Sequence, residues 1–182
     1  KTIYYEISSS LPDNFRVTNA FKEWETKTGM KFIKRTTQPN YVAFIQAPEG
    51  RSCYSTHIGM RGGKQEVGLG ANCSTGNAIH EIAHVIGYWH EQSRKDRDNF
   101  VTIHRENILP GYERNFDKHI SDGQDVGAYD YGSIMHYPRK AFSKNNKDTI
   151  VPTDPNAKIG QREKLSNQDI QTINVIYNLI SV

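Results

Sequence analysis

The chain has 182 residues and 36% hydrophobic content, so it is long enough to bury a sizeable core as a single domain. It has no apolar run near the ~18 residues that a membrane span requires, which argues against a membrane protein. Its net charge of +3 is spread among alternating acids and bases, as in residues 94–98, which favours a solvated mixed-charge surface over a nucleic-acid-binding site.

The first half of the chain predicts a sheet and a helix that packs on it. Strand patterns occur at residues 3–7, 31–35 and 41–46, and shorter strands are expected at residues 56–60 and 65–70. Between the first two strands, residues 13–28 predict a helix that ends at Gly29. Apolar residues recur there at helical spacing and are interpreted as core: Val17, Ala20, Phe21 and Trp24.

The second half of the chain predicts two helices separated by irregular structure. One helix begins after residue 74, with Ser74 or Thr75 as its N-cap and Ile79, Ala83 and Ile86 on its buried face. Beyond residue 90 the chain is polar and irregular, with a short helix near residues 105–107. A firmer helix is expected over residues 167–178, with one apolar face formed by Ile170, Ile173, Ile176 and Tyr177.

Residues 80–90 contain the pattern HExxHxxGxxH, which predicts a hydrolytic zinc site. His80 and His84 are one helical turn apart, about 6 Å along the axis, and can bind the same ion. Gly87 can end the helix in a left-handed conformation and return the chain, so that His90 becomes a third ligand. Glu81 can reach a metal-bound water without being a ligand. Three protein ligands leave one position open, as in catalytic zinc sites.

A methionine after this pattern strengthens the zinc prediction. The alternative, a polar helix face without a metal, suits a bare HExxH better than the full pattern. Met135 lies 45 residues beyond His90, and the two features together are the metzincin signature. A thioether is a poor match for this site, so we expect Met135 to pack beneath the ligands. His136 beside it is not expected to bind the metal, because three histidines are already assigned to it.

Several segments of the chain resemble the astacin family of secreted zinc endopeptidases, a metzincin family. The resemblance covers residues 3–177 and rests on Glu91 directly after the third histidine and on the sequence SIMHY at residues 133–137. Residues 90–101, 129–132 and 159–170 are also similar to the family. The resemblance implies an α+β, metzincin-type catalytic domain with two lobes over residues 1–182.

The lobes implied by the resemblance differ in structure. The N-terminal lobe, about residues 1–90, would contain a twisted mixed sheet and two helices. The C-terminal lobe, about residues 91–182, would be irregular with a terminal helix, and the cleft between the lobes would expose the metal. The resemblance places the strand at residues 65–70 at the sheet edge, where an extended peptide or protein substrate can pair with it. A glycine-weakened strand without a ligand is an equally open interpretation.

The resemblance also implies the chemistry of the site. One catalytic Zn²⁺ would be bound by His80, His84 and His90, and in the resting state by the phenol oxygen of Tyr137. A zinc-bound water would attack the peptide bond with Glu81 as general base. Tyr137 would leave the metal when substrate binds and donate a hydrogen bond to the developing oxyanion.

The two cysteines, Cys53 and Cys73, are predicted to form one disulfide. A zinc role is less suitable because neither belongs to a CxxC pair and the site already has its histidines. The astacin resemblance implies the same pairing, and a disulfide implies an oxidising compartment and a secreted protein. The second bridge that is usual in the family is missing, and Gly29 and the tail at residues 179–182 occupy its place.

Glu91 has a structural role in the family, where it meets the new N-terminus after an inhibitory propeptide is removed. Here the chain starts inside the first strand, so we expect a leading segment to be missing and Glu91 to be paired with water or with nearby cationic and polar groups. Residues 96–98 could form a surface charge cluster, but the resemblance favours buried charge pairs that support the C-terminal lobe. Three histidines are interpreted as surface or hydrogen-bonded residues: His57, His104 and His119.

Two other functions remain open from the sequence. One is a zinc amidase or deacetylase, which the Met-turn and the predicted edge strand do not favour. The other is a non-catalytic peptide-binding module, which would have no need of the base Glu81.

Overall fold

The computed structural model describes residues 1–177 and divides into two compact units. The first contains residues 1–88 together with the chain from residue 162 onward, and the second contains residues 89–161. The first boundary lies close to the predicted one at residue 90, but the return of the chain at residue 162 was not predicted. This return is held by Tyr88, whose hydroxyl donates to Asp169 O at 2.7 Å. The C-terminal helix therefore belongs to the first unit.

The first unit contains a five-stranded mixed sheet in the order β2-β1-β3-β5-β4. The pairs β1–β2, β1–β3 and β3–β5 are parallel, and β4 pairs antiparallel with β5. This confirms the predicted mixed sheet. The strands are β1 (Thr2–Ile7), β2 (Lys31–Lys34), β3 (Tyr41–Gln46), β4 (Tyr54–Ser55) and β5 (Lys64–Leu69).

The edge of this sheet differs from the prediction. The terminal strand is β4, whereas β5, predicted as the edge, pairs with strands on both sides. The strand predicted at residues 56–60 is absent. Gly59 has a positive φ of 70° and donates its N–H to His84 O at 2.9 Å, which draws this segment away from the sheet.

Helix α1 (Phe15–Thr28) packs against the helix that follows the sheet. It begins two residues later than predicted and ends at Gly29, whose φ is 68° and whose N–H bonds to Glu25 O. All four residues predicted as core are buried on this helix. Trp24 is fully buried and donates its Nε1–H to Ile79 O at 3.2 Å, so the two helices are joined by a specific bond as well as by apolar contact.

Helix α2 (Thr75–Ile86) carries the first two histidines of the pattern. Its N-cap is Ser74, whose Oγ accepts from Asn77 N while Asn77 Oδ1 accepts from Ser74 N. The predicted inner face is confirmed, since Ile79, Ala83 and Ile86 are all buried.

Helix α3 (Asn167–Ile176) begins at Ser166, which forms a capping box with Asp169. Ile173 is fully buried, but Ile176 is 40% exposed, so the predicted apolar face is only partly covered. The predicted last residue, Asn178, and the tail at residues 179–182 lie outside the described residues. No helix within residues 1–177 is long and apolar enough to cross a membrane.

The second unit has little regular structure, as predicted. Strands β6 (Val101–Ile103) and β7 (Ile150–Pro152) form an antiparallel pair. The helix predicted near residues 105–107 is a single 3₁₀ turn, Arg105–Asn107. The core of this unit is formed by Val101, Ile108, Phe116, Tyr129 and Ile150.

In the charge cluster at residues 94–98, the arginines are buried and the carboxylates are more exposed. Arg97 is 5% exposed and donates to the carbonyl oxygens of Gln92 and Phe116 at 2.8 and 2.7 Å. The Asp98 side chain, its ion-pair partner, is 62% exposed. The prediction of buried pairing at residues 96–98 is therefore correct for the cation and wrong for Asp98.

Candidate metal centre

His80 and His84 lie one turn apart on α2 and are buried, with ring centroids 4.8 Å apart. His84 Nδ1 is 2.8 Å from the carbonyl oxygen of Tyr88. A carbonyl only accepts, so Nδ1 carries the proton and Nε2 keeps its lone pair for a metal. Burial lowers the pKa of His84 to about 4, so its imidazole is neutral at neutral pH, which is the form that binds metals.

The turn after α2 adds the third histidine. Gly87 has a φ of 124° and donates its N–H to Ala83 O at 3.0 Å, which ends the helix as the sequence predicted. The ligand atoms of His80, His84 and His90 all lie within 4.8 Å of one another. Nitrogens bound tetrahedrally to one zinc at ~2.0–2.1 Å are ~3.4 Å apart, so small side-chain rotations suffice to bind one ion. Three imidazoles are also a ligand set that Zn²⁺ accepts.

Glu81 directly follows His80 in the sequence and is buried, with 6% of the residue exposed. Burial is the main influence on this carboxyl and raises its pKa to about 7. The positive charge of Arg162 and a hydrogen bond from the Ser55 backbone act in the opposite direction and lower the pKa. A carboxyl that titrates near neutral pH can both accept and release a proton under physiological conditions.

The sequence did not predict that Ser55 and Arg162 act on Glu81. Arg162 lies within the segment at residues 159–170 that resembles the family, but the resemblance gave it no role. Gly76, in the first turn of α2, is what allows Arg162 to approach. A Cβ at Gly76 would collide with the carbonyl oxygen of Arg162. A glycine inside a helix often marks such a close backbone approach, and this was the available signal.

Substitution of Gly76 by alanine is expected to destabilise the protein despite alanine's higher helix propensity. The new methyl group must displace the backbone at Arg162, and overpacking of this kind typically costs about 1–3 kcal/mol. Thermal unfolding of Gly76→Ala should therefore show a lower Tm, with Thr75→Ala as the control in the same helical turn. An unchanged Tm would mean that the segment at residue 162 moves without loss.

Met135 lies in the second unit and is 1% exposed. Its carbonyl oxygen accepts from Glu91 N at 3.2 Å, which links the Met-turn to the segment directly after His90. The thioether is in the core, in agreement with the expected packing role. Its position beneath the ligands stays a prediction.

Tyr137 lies beside His90, with ring centroids 4.3 Å apart. Its backbone N–H donates to Oε1 of Gln92 at 3.0 Å, and its ring also contacts Phe116 and Phe142. The tyrosine is half-buried, and its neighbours fix both its backbone and its ring. Its role as a metal ligand stays a prediction.

Glu91 has cationic and polar neighbours of the kind expected. Its Oε1 accepts from Asp130 N at 2.8 Å and lies 3.6 Å from Arg94 Nη1. These contacts hold the segment that follows His90 against a neighbouring loop of the same unit.

The other histidines are engaged elsewhere. His136 is fully buried, with Nε2 2.7 Å from the Tyr129 hydroxyl and Nδ1 2.8 Å from Tyr137 O. Both of its ring nitrogens therefore have protein partners, and it is not part of the three-histidine group. The remaining three form local polar contacts, as expected: His57, His104 and His119.

The predicted disulfide between Cys53 and Cys73 is present. It joins the segment before β4 to the residue that precedes the N-cap of α2. The bridge thus fixes the start of the histidine-bearing helix relative to the sheet edge.

Comparison with known proteins identifies the family. Residues 1–178 match the family model for Astacin, which describes a family of peptidases. The chain belongs to the astacin family. The resemblance found in the sequence is confirmed, and with it membership of a family of zinc metalloendopeptidases.

Relatives of this astacin-family chain include named proteinases. It is 42% identical over 181 residues to zinc metalloproteinase nas-13 of Caenorhabditis elegans, covering 97% of the chain and 40% of that protein. It is 39% identical over 188 residues to human meprin A subunit beta, covering 99% of the chain and 26% of that protein. The chain therefore spans less than half the length of these relatives.

A solved structure confirms the α+β fold. High choriolytic enzyme 1, a hatching-enzyme zinc-protease from Oryzias latipes, superposes with a TM-score of 0.88 at 38% identity. The match covers 97% of this chain and 89% of that one.

Proposed function

We propose that this astacin-family chain is a secreted, zinc-dependent endopeptidase that uses Glu81 as its general base. The observation that carries the proposal is the group of three histidines whose ligand atoms lie within 4.8 Å of one another. The buried Glu81 is next to the first of them in the sequence and outside the group. A non-catalytic zinc site would require the ligands but not this carboxylate.

Bound Zn²⁺ would lower the pKa of a coordinated water and polarise the scissile carbonyl. Glu81 accepts the proton of the attacking water at a carboxylate oxygen and then transfers it to the nitrogen of the leaving amine. The Ser55 N–H and the charge of Arg162 both favour the ionised form of Glu81, which is the form that accepts the proton. The hydrogen bond from His84 Nδ1 to Tyr88 O orients that imidazole.

An extended peptide is the substrate that the sheet edge suits. Strand β4 is the terminal strand, so one side of its backbone faces no other strand of the sheet. Such an edge can pair with a peptide through main-chain hydrogen bonds. Ser55 of β4 donates to Glu81, so a peptide on this edge would pass beside the general base.

Secretion is supported by the disulfide between Cys53 and Cys73, because such bridges persist in oxidising compartments. An inhibitory propeptide in the precursor is a further part of the proposal. It follows from the family and would be tested by expressing the complete precursor and assaying it before and after processing.

Digestion of an unfolded protein tests the proposed function. We expect the zinc-loaded chain to cut a reduced and alkylated protein at internal bonds, and mass spectrometry to identify new N-termini within its sequence. A chelator should stop the reaction, and added Zn²⁺ should restore it. Release of acetyl groups without chain cleavage would indicate a deacetylase instead, and binding without any product would indicate a peptide-binding module.

A further inference from the structure

Residues 51–56 line a cavity along the sheet edge. Its volume is about 410 Å³, and its lining runs from Arg51 through β4 to Thr56. A larger cavity of about 790 Å³ shares Arg51, Ser52 and Cys53 with it. The two cavities therefore follow one continuous segment of backbone that includes the terminal strand of the sheet.

Arg51 is held in place at the junction of the two cavities. Its N–H donates to Pro48 O at 3.0 Å, and Cys53, two residues later, is fixed by the disulfide. The ring of Tyr54 covers Gly68 of β5, where a Cβ would collide with it. The guanidinium carbon of Arg51 lies 4.8 Å from the centroid of that ring. Gly68, Tyr54 and Arg51 thus form a stack beside the terminal strand of the sheet.

The charge of Arg51 is available to a ligand. Arg51 is the charged residue in the lining of the smaller cavity, and the larger cavity adds one carboxylate, Glu49. Within residues 1–177, Arg51 forms no ion pair, and its guanidinium contacts the ring of Tyr54. A planar guanidinium that is already stacked on a ring can bind a carboxylate with two parallel hydrogen bonds.

The number of residues between Arg51 and Ser55 limits how far the ligand lies from the general base. Ser55 bonds to Glu81, and Arg51 is four residues earlier, with a bend at Cys53 between them. Four residues of chain span at most ~14 Å, which an extended peptide covers in about four residues or fewer.

We propose that Arg51 selects substrates with an acidic side chain within about four residues of the scissile bond. The inference rests on the proposed peptidase function and adds a substrate class to it. The ligand is the carboxylate of an aspartate or glutamate in an extended peptide that pairs with β4.

Matched peptides test this selection. The two peptides of a pair differ at one position, which carries glutamate in one peptide and glutamine in the other. Successive pairs place this position at different distances from the cleaved bond, on both sides of it. We expect the wild-type chain to prefer glutamate by about three- to tenfold in kcat/KM at a position within about four residues of the bond, on one side of it. The preference should decrease as salt is raised, because the contact is partly exposed.

In the variant Arg51→Gln, the ratio of kcat/KM for the glutamate peptide to kcat/KM for the glutamine peptide should be close to one. Arg61→Gln is the control, since it removes the same charge from an exposed residue of the same unit that lines neither cavity. Equal cleavage of both peptides by the wild type, or a preference that survives in Arg51→Gln, would overturn the inference.

Binding of the same peptides separates this inference from the proposed function. Fluorescence anisotropy of labelled peptides should show the glutamate preference in Kd and its loss in Arg51→Gln. If the zinc-loaded chain cleaves none of the peptides, the peptidase function fails. Arg51 is then judged by Kd alone, and equal Kd values for the glutamate and glutamine peptides would refute its role.

Discussion

Replacement of Glu81 by glutamine is expected to lower kcat by about 10²–10⁴, the range that general base catalysis contributes. The amide has nearly the same size as the carboxylate and can still accept a hydrogen bond from Ser55, but it cannot take the proton of the attacking water. Because Glu81 is outside the three-histidine group, the variant should still bind one zinc. Turnover and zinc content, the latter by elemental analysis, are both measured on the same sample.

Glu106→Gln is the matched control for this change. Its side chain is 70% exposed and pairs with His104 in the second unit, and it has no assigned role in the chemistry. It should retain wild-type kcat. A Glu81→Gln protein with one zinc per chain and turnover close to wild type would contradict the role of Glu81.

Replacement of Tyr137 by phenylalanine is expected to lower kcat by about 10²–10³, the typical effect of removing one oxyanion donor. The ring contact with His90 and the backbone bond to Gln92 do not involve the hydroxyl, so the local packing should persist. KM should change little, because the lost interaction forms in the transition state.

Tyr131→Phe separates this effect from a general loss of stability. The Tyr131 hydroxyl donates to Phe100 O at 2.8 Å in the same unit, so its removal should lower the free energy of unfolding by about 0.5–1.5 kcal/mol. Its kcat should stay at the wild-type value. Wild-type kcat in Tyr137→Phe would leave Tyr137 with a packing role only.

The three-histidine group was predictable because it depends on local geometry. Helical spacing places His80 and His84 on one face, and a glycine with positive φ returns the chain to His90. The groups that act on Glu81 were not predictable in this way. Ser55 and Arg162 are distant from Glu81 in sequence and reach it only through tertiary packing.

The same reasoning explains the errors in the fold. Strand β4 has two residues, too few for an alternating pattern, so it could not be predicted from periodicity. Without it, the resemblance placed the longer strand β5 at the sheet edge. The place of α3 in the first unit depends on long-range contacts such as the bond between Tyr88 and Asp169. Periodicity within a helix identifies its buried face but not the element that covers it.

Titration of the metal-free chain with zinc tests the central claim most directly. If His80, His84 and His90 bind one catalytic ion, peptidase activity should be absent after chelation, rise linearly with added Zn²⁺ and reach its maximum at one equivalent. Full activity in the metal-free chain, or no activity after one equivalent has bound, would contradict the account.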